Sequence, residues 1–434
     1  MQRIFTVIVS LIYVLTVFGQ QVDTHNIDQI SEYFKEIKEA TRQKTDLWNK
    51  DLYGGILLVD PKSRQLYANQ PDQNNTLQLQ NEIYVGKLPE NINSANTALQ
   101  WNGKTWAMIM LPLSKNKHDR INLLAHELFH TIQTSLGYTQ FNKESNHLEE
   151  KEGRIYLRLE LEALKKAILA DAPRVQQKHL TNALIFRKYR NAIFPGSNDL
   201  ENQLELNEGL AEYTGLMISN RDREQIKYHF TNTLDDFFKN PTFVRSFAYN
   251  TTPIYGYLLS QKNPLWHQKI TADSNLTDYF IESFKVKLPK DLKSAAAKNL
   301  SAYDGELIVA EEDHRSEQIK ARVAIYKSKF IEQPHFKIKF ENMNTSFDPR
   351  NILPIEDKGT VYPNIRVTDN WGILDVNNGA LMSPNWGNIS VSVPTVIEEE
   401  LIQGDGWSLQ IDSNYTVVKD ATSGNYILIK KEKK

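Results

Sequence analysis

Residues 126–130 read His-Glu-Leu-Phe-His, and this pentapeptide constrains the chain more than any other feature. On an α-helix positions i and i+4 share a face, so the two imidazoles turn toward one ion only if the stretch is helical. The flanks agree, because Ile121, Leu123, Leu124 and Leu128 give such a helix apolar residues to bury. Glu127 is close enough to polarise a water held by that ion without being a ligand itself. Two imidazoles do not complete a site. A third ligand must come from elsewhere, so the fold has to bring a second segment against this helix.

Composition narrows the donors. The 434 residues include no cysteine, which excludes disulfides, thiolate zinc sites, iron–sulfur clusters and a cysteine nucleophile. Any metal must therefore be held by His and carboxylate. Lys and Arg number 51 against 53 Asp and Glu, a net charge of −2, and this balance argues against a nucleic-acid partner. With 40% hydrophobic and 10% aromatic residues the chain can bury a sizeable core, and its length predicts two or three domains.

The first 19 residues read as a signal peptide: Arg3, an apolar run over 4–18, then Val17 and Gly19 at the −3 and −1 positions of a cleavage site before Gln20. The run falls short of the ~20 residues that span a bilayer, and no Cys follows it for a lipid anchor. The expectation is an exported protein, periplasmic or secreted, with no membrane span after signal cleavage.

Beyond the leader, 26–52 has apolar residues at helical spacing (Ile27, Ile30, Tyr33, Phe34, Ile37) and predicts one amphipathic helix. Residues 54–113 change to short strand-like runs, at 55–60, 83–86, 97–101 and 105–113, punctuated by Asn, Asp, Pro and Gly. Residues 119–284 read as mainly helical, including a long segment at 149–172, with a loop signal at 194–198. From about 321 the pattern alternates again, with strands expected at 323–326, 336–340, 390–393 and 426–429. The fold class is α+β: a domain at 20–320, made of a small mixed sheet and a mainly helical part, then a β-rich domain at 321–434.

The strongest third ligand is Glu208, within Asn207-Glu-Gly-Leu-Ala-Glu-Tyr213. Glu208 and Glu212 stand at i and i+4, so one carboxylate can bind the metal while the other accepts the free ring N–H of a histidine ligand. The flanking Leu206, Leu210, Ala211 and Leu216 argue against a fully solvated helix. Rivals closer in sequence are His147, Glu149, Glu150 and Glu152.

This motif pair resembles the gluzincins, the zinc metallopeptidases that include thermolysin-like and aminopeptidase N-like enzymes. There a His-Glu-x-x-His helix is followed by a helix reading Asn-Glu with Gly or Ala next, as in Asn207-Glu208-Gly209, often with an acid four residues on, as at Glu212. The likeness runs from 105 to 257 and leaves out the N-terminal region and the β tail. It implies a zincin-like catalytic domain, Zn2+ held by His126, His130 and Glu208, Glu127 as the general base, and a peptide or protein substrate. One departure concerns spacing: 78 residues (208 − 130) separate His130 from Glu208, far more than in the familiar families, and by counting alone Glu149 or Glu150 would be the ligand. The segment 155–172 is then an inserted scaffold helix. The resemblance also implies that the strand before the metal helix, 105–113, is an edge that pairs with an extended substrate, although its apolar run fits a plain buried strand equally. It further implies a Tyr that donates to the tetrahedral intermediate. Tyr249 fits, although Thr252 stands where a Gly usually follows; Tyr255 is the second choice, and the lone His267 beside Trp266 reads as structural.

The function expected is a zinc-dependent metallopeptidase. Competing expectations are a metal-binding surface or interaction module without turnover, and a zinc hydrolase of a non-peptide amide or ester.

Overall fold

The amphipathic pattern near the start forms α1, Ile27–Arg42, whose apolar face buries Ile30, Phe34 and Ile37. In this computed structural model the described residues are 27–138, 145–347 and 352–431; the leader expected at 1–19 lies outside them. The architecture is mixed α and β, a helical region followed by a β-rich C-terminal part. The chain divides into two units, Met1–Thr139 with Thr214–Arg221, and Gln140–Tyr213 with Asp222–Lys434.

The first unit holds a six-stranded sheet of β1 (Gly55–Val59), β2 (Gln65–Ala68), β3 (Gln78–Gln80), β4 (Ile83–Lys87), β5 (Thr97–Trp101) and β6 (Lys104–Met110). Its order is β3-β4-β2-β1-β6-β5, and only the β1–β6 pair is parallel. All five residues of β1 are buried, as a strand covered on both faces requires. The strand expected at 105–113 as a substrate-pairing edge is therefore an interior one. It bonds to β1 on one side and β5 on the other, and Trp106–Ile109 are buried. The edge belongs to β5. The short β2 and β3 fall outside the expected runs.

Helix α2, Lys117–Gln133, follows and packs on β5 and β6. Asn116 caps it, its side-chain oxygen accepting from the backbone N–H of His118 at 2.8 Å. Arg120 fastens α2 to α1 through two hydrogen bonds to Glu36 Oε2, at 2.9 and 2.7 Å.

In the second unit α3 (Lys151–Leu169) and α4 (Pro173–Ile193) pack closely along their lengths, with Pro173 in the first turn of α4, where its missing N–H costs nothing. Then come α5 (Ser197–Leu204), a π turn at Glu205–Gly209, α6 (Leu210–Ile218), α7 (Arg223–Phe237), α8 (Ala248–Ser260), α9 (Leu276–Ser283), α10 (Leu292–Asn299) and α11 (Gly305–Lys327). The run expected as a strand at 323–326 is the last part of α11. Ile319, Val323, Tyr326 and Phe330 recur at helical intervals and pack on Leu353, Ile355, Val361 and Leu381. A helical stripe, not strand alternation, placed those residues.

The C-terminal part is a seven-stranded and a six-stranded sheet between His335 and Lys430. Residues of both sheets, among them Phe336, Ile389, Val367, Leu374 and Trp407, share one core, so the sheets pack face to face. No helix among the described residues is long and apolar enough to cross a membrane.

Candidate metal centre

Helix α2 is regular through 126–130, and its period puts His126 and His130 side by side. Their rings lie 4.8 Å apart and their Nε2 atoms 3.1 Å apart. His126 and Glu127 are 4% and 5% exposed, while His130 is half-buried. His130 Nδ1 lies 2.8 Å from Gln133 Oε1. An Nδ1–H donating to that carboxamide oxygen leaves the lone pair of Nε2 on the side of His126. This is the tautomer a metal ligand needs. Gln133 was not anticipated from the sequence, though its place three residues after His130 on the same helix was the available signal.

Glu208 sits in the π turn. The N–H of Leu210 bonds to the carbonyl of Glu205, an i→i+5 bond that inserts one extra residue into the helical winding. Gly209 is what lets α8 close on this turn. A Cβ there would fall 2.6 Å from the Cβ of Thr252, so any other side chain would push the two apart. With α8 this near, the Tyr249 hydroxyl donates to Glu208 Oε2 at 2.6 Å, while Asn207 Nδ2 donates to Oε1 at 2.9 Å. Tyr249 remains 38% exposed. Further along the same helical stretch, Gly215 lets α6 meet α2, since a Cβ would lie 2.5 Å from the carbonyl oxygen of Asn122.

One ligand atom each from His126, His130 and Glu208 lies within 4.8 Å of the other two. The three form a partly buried His/His/Glu group that could hold a metal ion. Two imidazoles and a carboxylate, one imidazole with Gln133 within hydrogen-bond reach of its other ring nitrogen, fit a borderline divalent ion.

The rivals lie in other contacts. His147 Nε2 is 2.6 Å from Glu201 Oε1, and Glu149 is paired with Arg315 at 2.5 Å. Glu150 and Glu152 are exposed. Glu212 is half-buried on α6. Tyr255, the second choice for a catalytic tyrosine, is fully buried; its hydroxyl donates to Glu160 at 3.0 Å and its ring stacks on Phe280. Burial pushes that phenol well above its ordinary range, with the Glu160 carboxylate adding to the rise. It is a packing residue. His267 is likewise fully buried, against Trp266 and Tyr213.

The sequence reading also missed a buried charge network beneath the π turn. Arg187 donates to both oxygens of Glu205, at 2.9 and 2.7 Å, and to Glu160 at 2.6 Å. Arg190 donates to Glu160 at 2.8 Å and to both oxygens of Glu201, at 2.8 and 2.6 Å. Thr251 of α8 completes Glu205, and all five charged side chains are buried. Burial alone would raise the Glu201 carboxyl; the Arg190 guanidinium overrides it and holds the group well below the usual carboxylate range. Arg187 and Arg190 stand beside the apolar run 183–186, and that was the one hint in the sequence that these charges point inward.

No protein-family model matches the chain, and neither does any curated protein or any solved structure.

Proposed function

We propose that the protein is an exported zinc metallopeptidase, with zinc held by His126, His130 and Glu208. The observation that carries this reading is the convergence of those three ligand atoms within 4.8 Å, with the buried Glu127 next to His126 on the same helix. Three protein ligands from His and carboxylate leave a position open for water and substrate, the pattern of catalytic rather than structural zinc. Zinc bound there supplies Lewis acidity and a water acidified toward ~7.

The rest falls to the chain's own groups. Glu127 takes the proton from the attacking water and hands it to the departing amine. Gln133 keeps the His130 ring oriented, and Asn207 and Tyr249 do the same for the Glu208 carboxylate. Tyr249, partly exposed beside that carboxylate, has a single O–H, which turns from Glu208 Oε2 to the oxyanion as that charge develops on the substrate carbonyl, leaving Asn207 to hold Glu208. An extended peptide has β5 available as an edge to lengthen the sheet, with α2 packed behind it.

The test is metal content joined to turnover. After extensive dialysis the mature protein is expected to hold about one zinc per chain, to lose peptide hydrolysis on chelation, and to regain it with zinc. Sub-stoichiometric zinc that added metal does not restore contradicts the reading.

A further inference from the structure

The π turn that carries Glu208 needs an explanation of its own. In a regular α-helix residues three apart share a face. Here Glu205 and Glu208 do not behave alike: Glu205 is fully buried on Arg187, while Glu208 is half-buried and meets Tyr249. The i→i+5 bond from Leu210 to Glu205 closes the wide turn that separates them. Such turns are rare, and contacts from outside can hold one open against the α-helical winding on either side.

The Arg187–Glu205 pair is placed to do that. Its two parallel N–H···O bonds fix the Glu205 carboxylate in plane as well as in distance. Arg187 is itself fixed by Glu160 from α3 and Thr277 from α9, and Thr251 reaches Glu205 from α8. Stability alone does not account for it, because a buried ion pair gains little over well-packed apolar side chains. What it supplies is a set geometry for the first residue of the turn.

We propose that Glu205, held by Arg187 and Thr251, is a positioning residue that keeps the π turn wound and so presents the Glu208 carboxylate to the metal. This rests on the metal-centre reading above. Glu205 touches no metal or substrate in this account and acts only through Glu208.

The experiment measures zinc affinity by chelator competition, and the visible spectrum of the cobalt(II)-loaded protein, in the full chain and three variants. Glu205→Gln keeps the side-chain shape and leaves Arg187 facing Glu160. It is expected to weaken zinc binding by about 10–100-fold, the range for groups that orient a ligand, and to change the cobalt bands. Thr251→Val removes one hydrogen bond at nearly constant shape and is expected to shift both readouts less, in the same direction. It decides the matter if Glu205→Gln does not fold. Glu312→Gln removes an equally buried carboxylate from a different ion pair and is expected to leave both readouts unchanged. A parent chain that binds no zinc removes the metal centre, and this inference with it. A parent that binds zinc, with Glu205→Gln or a folded Thr251→Val indistinguishable from it, overturns the positioning role alone. An equal loss in Glu312→Gln also overturns it, since general loosening would then explain the effect.

Discussion

Helix α2 and the Glu205–Gly209 turn each bring ligand atoms to the same group by opposite means. The helix does it by its period: His126 and His130 are neighbours wherever the segment is helical, and the backbone needs no support beyond ordinary packing of Leu124, Leu128 and Phe129. The turn is irregular, so its geometry depends on partners far away in sequence: Arg187 below Glu205, Thr252 against Gly209, and Tyr249 on Glu208 itself. A ligand on a regular element needs only local sequence, whereas one on an irregular turn depends on the contacts that surround it.

The largest expected effect separates the ligand in the turn from its rival in the acidic run. Glu208→Gln is expected to lose zinc on dialysis, whereas Glu149→Gln, which only releases Arg315, is expected to retain it. The reverse result would move the third ligand away from the turn and dissolve the comparison.

Next in size is the second buried ion cluster. Glu312 is shared by Arg154 at 2.7 Å and Arg158 at 2.9 Å, tying α11 to α3. Glu312→Gln leaves two guanidiniums facing an uncharged amide and is expected to cost about 3–5 kcal/mol of stability. Denaturant unfolding measures that cost. A loss well under 1 kcal/mol would mean the carboxylate is far less committed than its burial indicates.

A smaller effect depends on pH. Arg190 holds Glu201 below its ordinary range, so the pair contributes stability that is present above the unfolded value of ~4.3 and is lost as pH falls through the lower folded value. Glu201→Gln should therefore be less stable than the parent at neutral pH, and the gap should narrow in acid below about pH 4. A gap that stays constant down to pH 2 would show that the pairing is not what lowers the group. The mildest change is Gln133→Ala, expected to weaken zinc binding about tenfold through loss of the His130 tautomer bond.

What could be read in the sequence follows the same division. The α2 motif was legible because two histidines at i and i+4 need no tertiary information. Glu208 was legible only through its neighbours, Asn207 and Gly209; the structure gives these two residues distinct tasks, a hydrogen bond to the carboxylate and room for α8. The β6 strand was recognised, but its apolar run fits an edge and a plain buried strand alike, since it does not say how many neighbours a strand has; the interior place is the one it takes. Residues 323–326 combine β-branched and aromatic side chains and look strand-like in isolation; only their spacing to Ile319 and Phe330 reveals α11. The buried Arg187 and Arg190 network was not legible, because charged residues in a sequence read as solvated unless their partners, here 11 to 30 residues away or more, are known to converge.

Glu127 gives the most direct test of the central claim that this group catalyses hydrolysis. Glu127→Gln preserves the size and hydrogen-bonding reach of the side chain but takes away its ability to accept a proton. The zinc-loaded parent and the zinc-loaded variant are compared on an unbiased peptide library. The account predicts equal zinc content and a fall in hydrolysis of at least about two orders of magnitude, the lower end of general-base contributions. A variant that cleaves as fast as the parent, or a zinc-loaded parent that cleaves nothing, contradicts it.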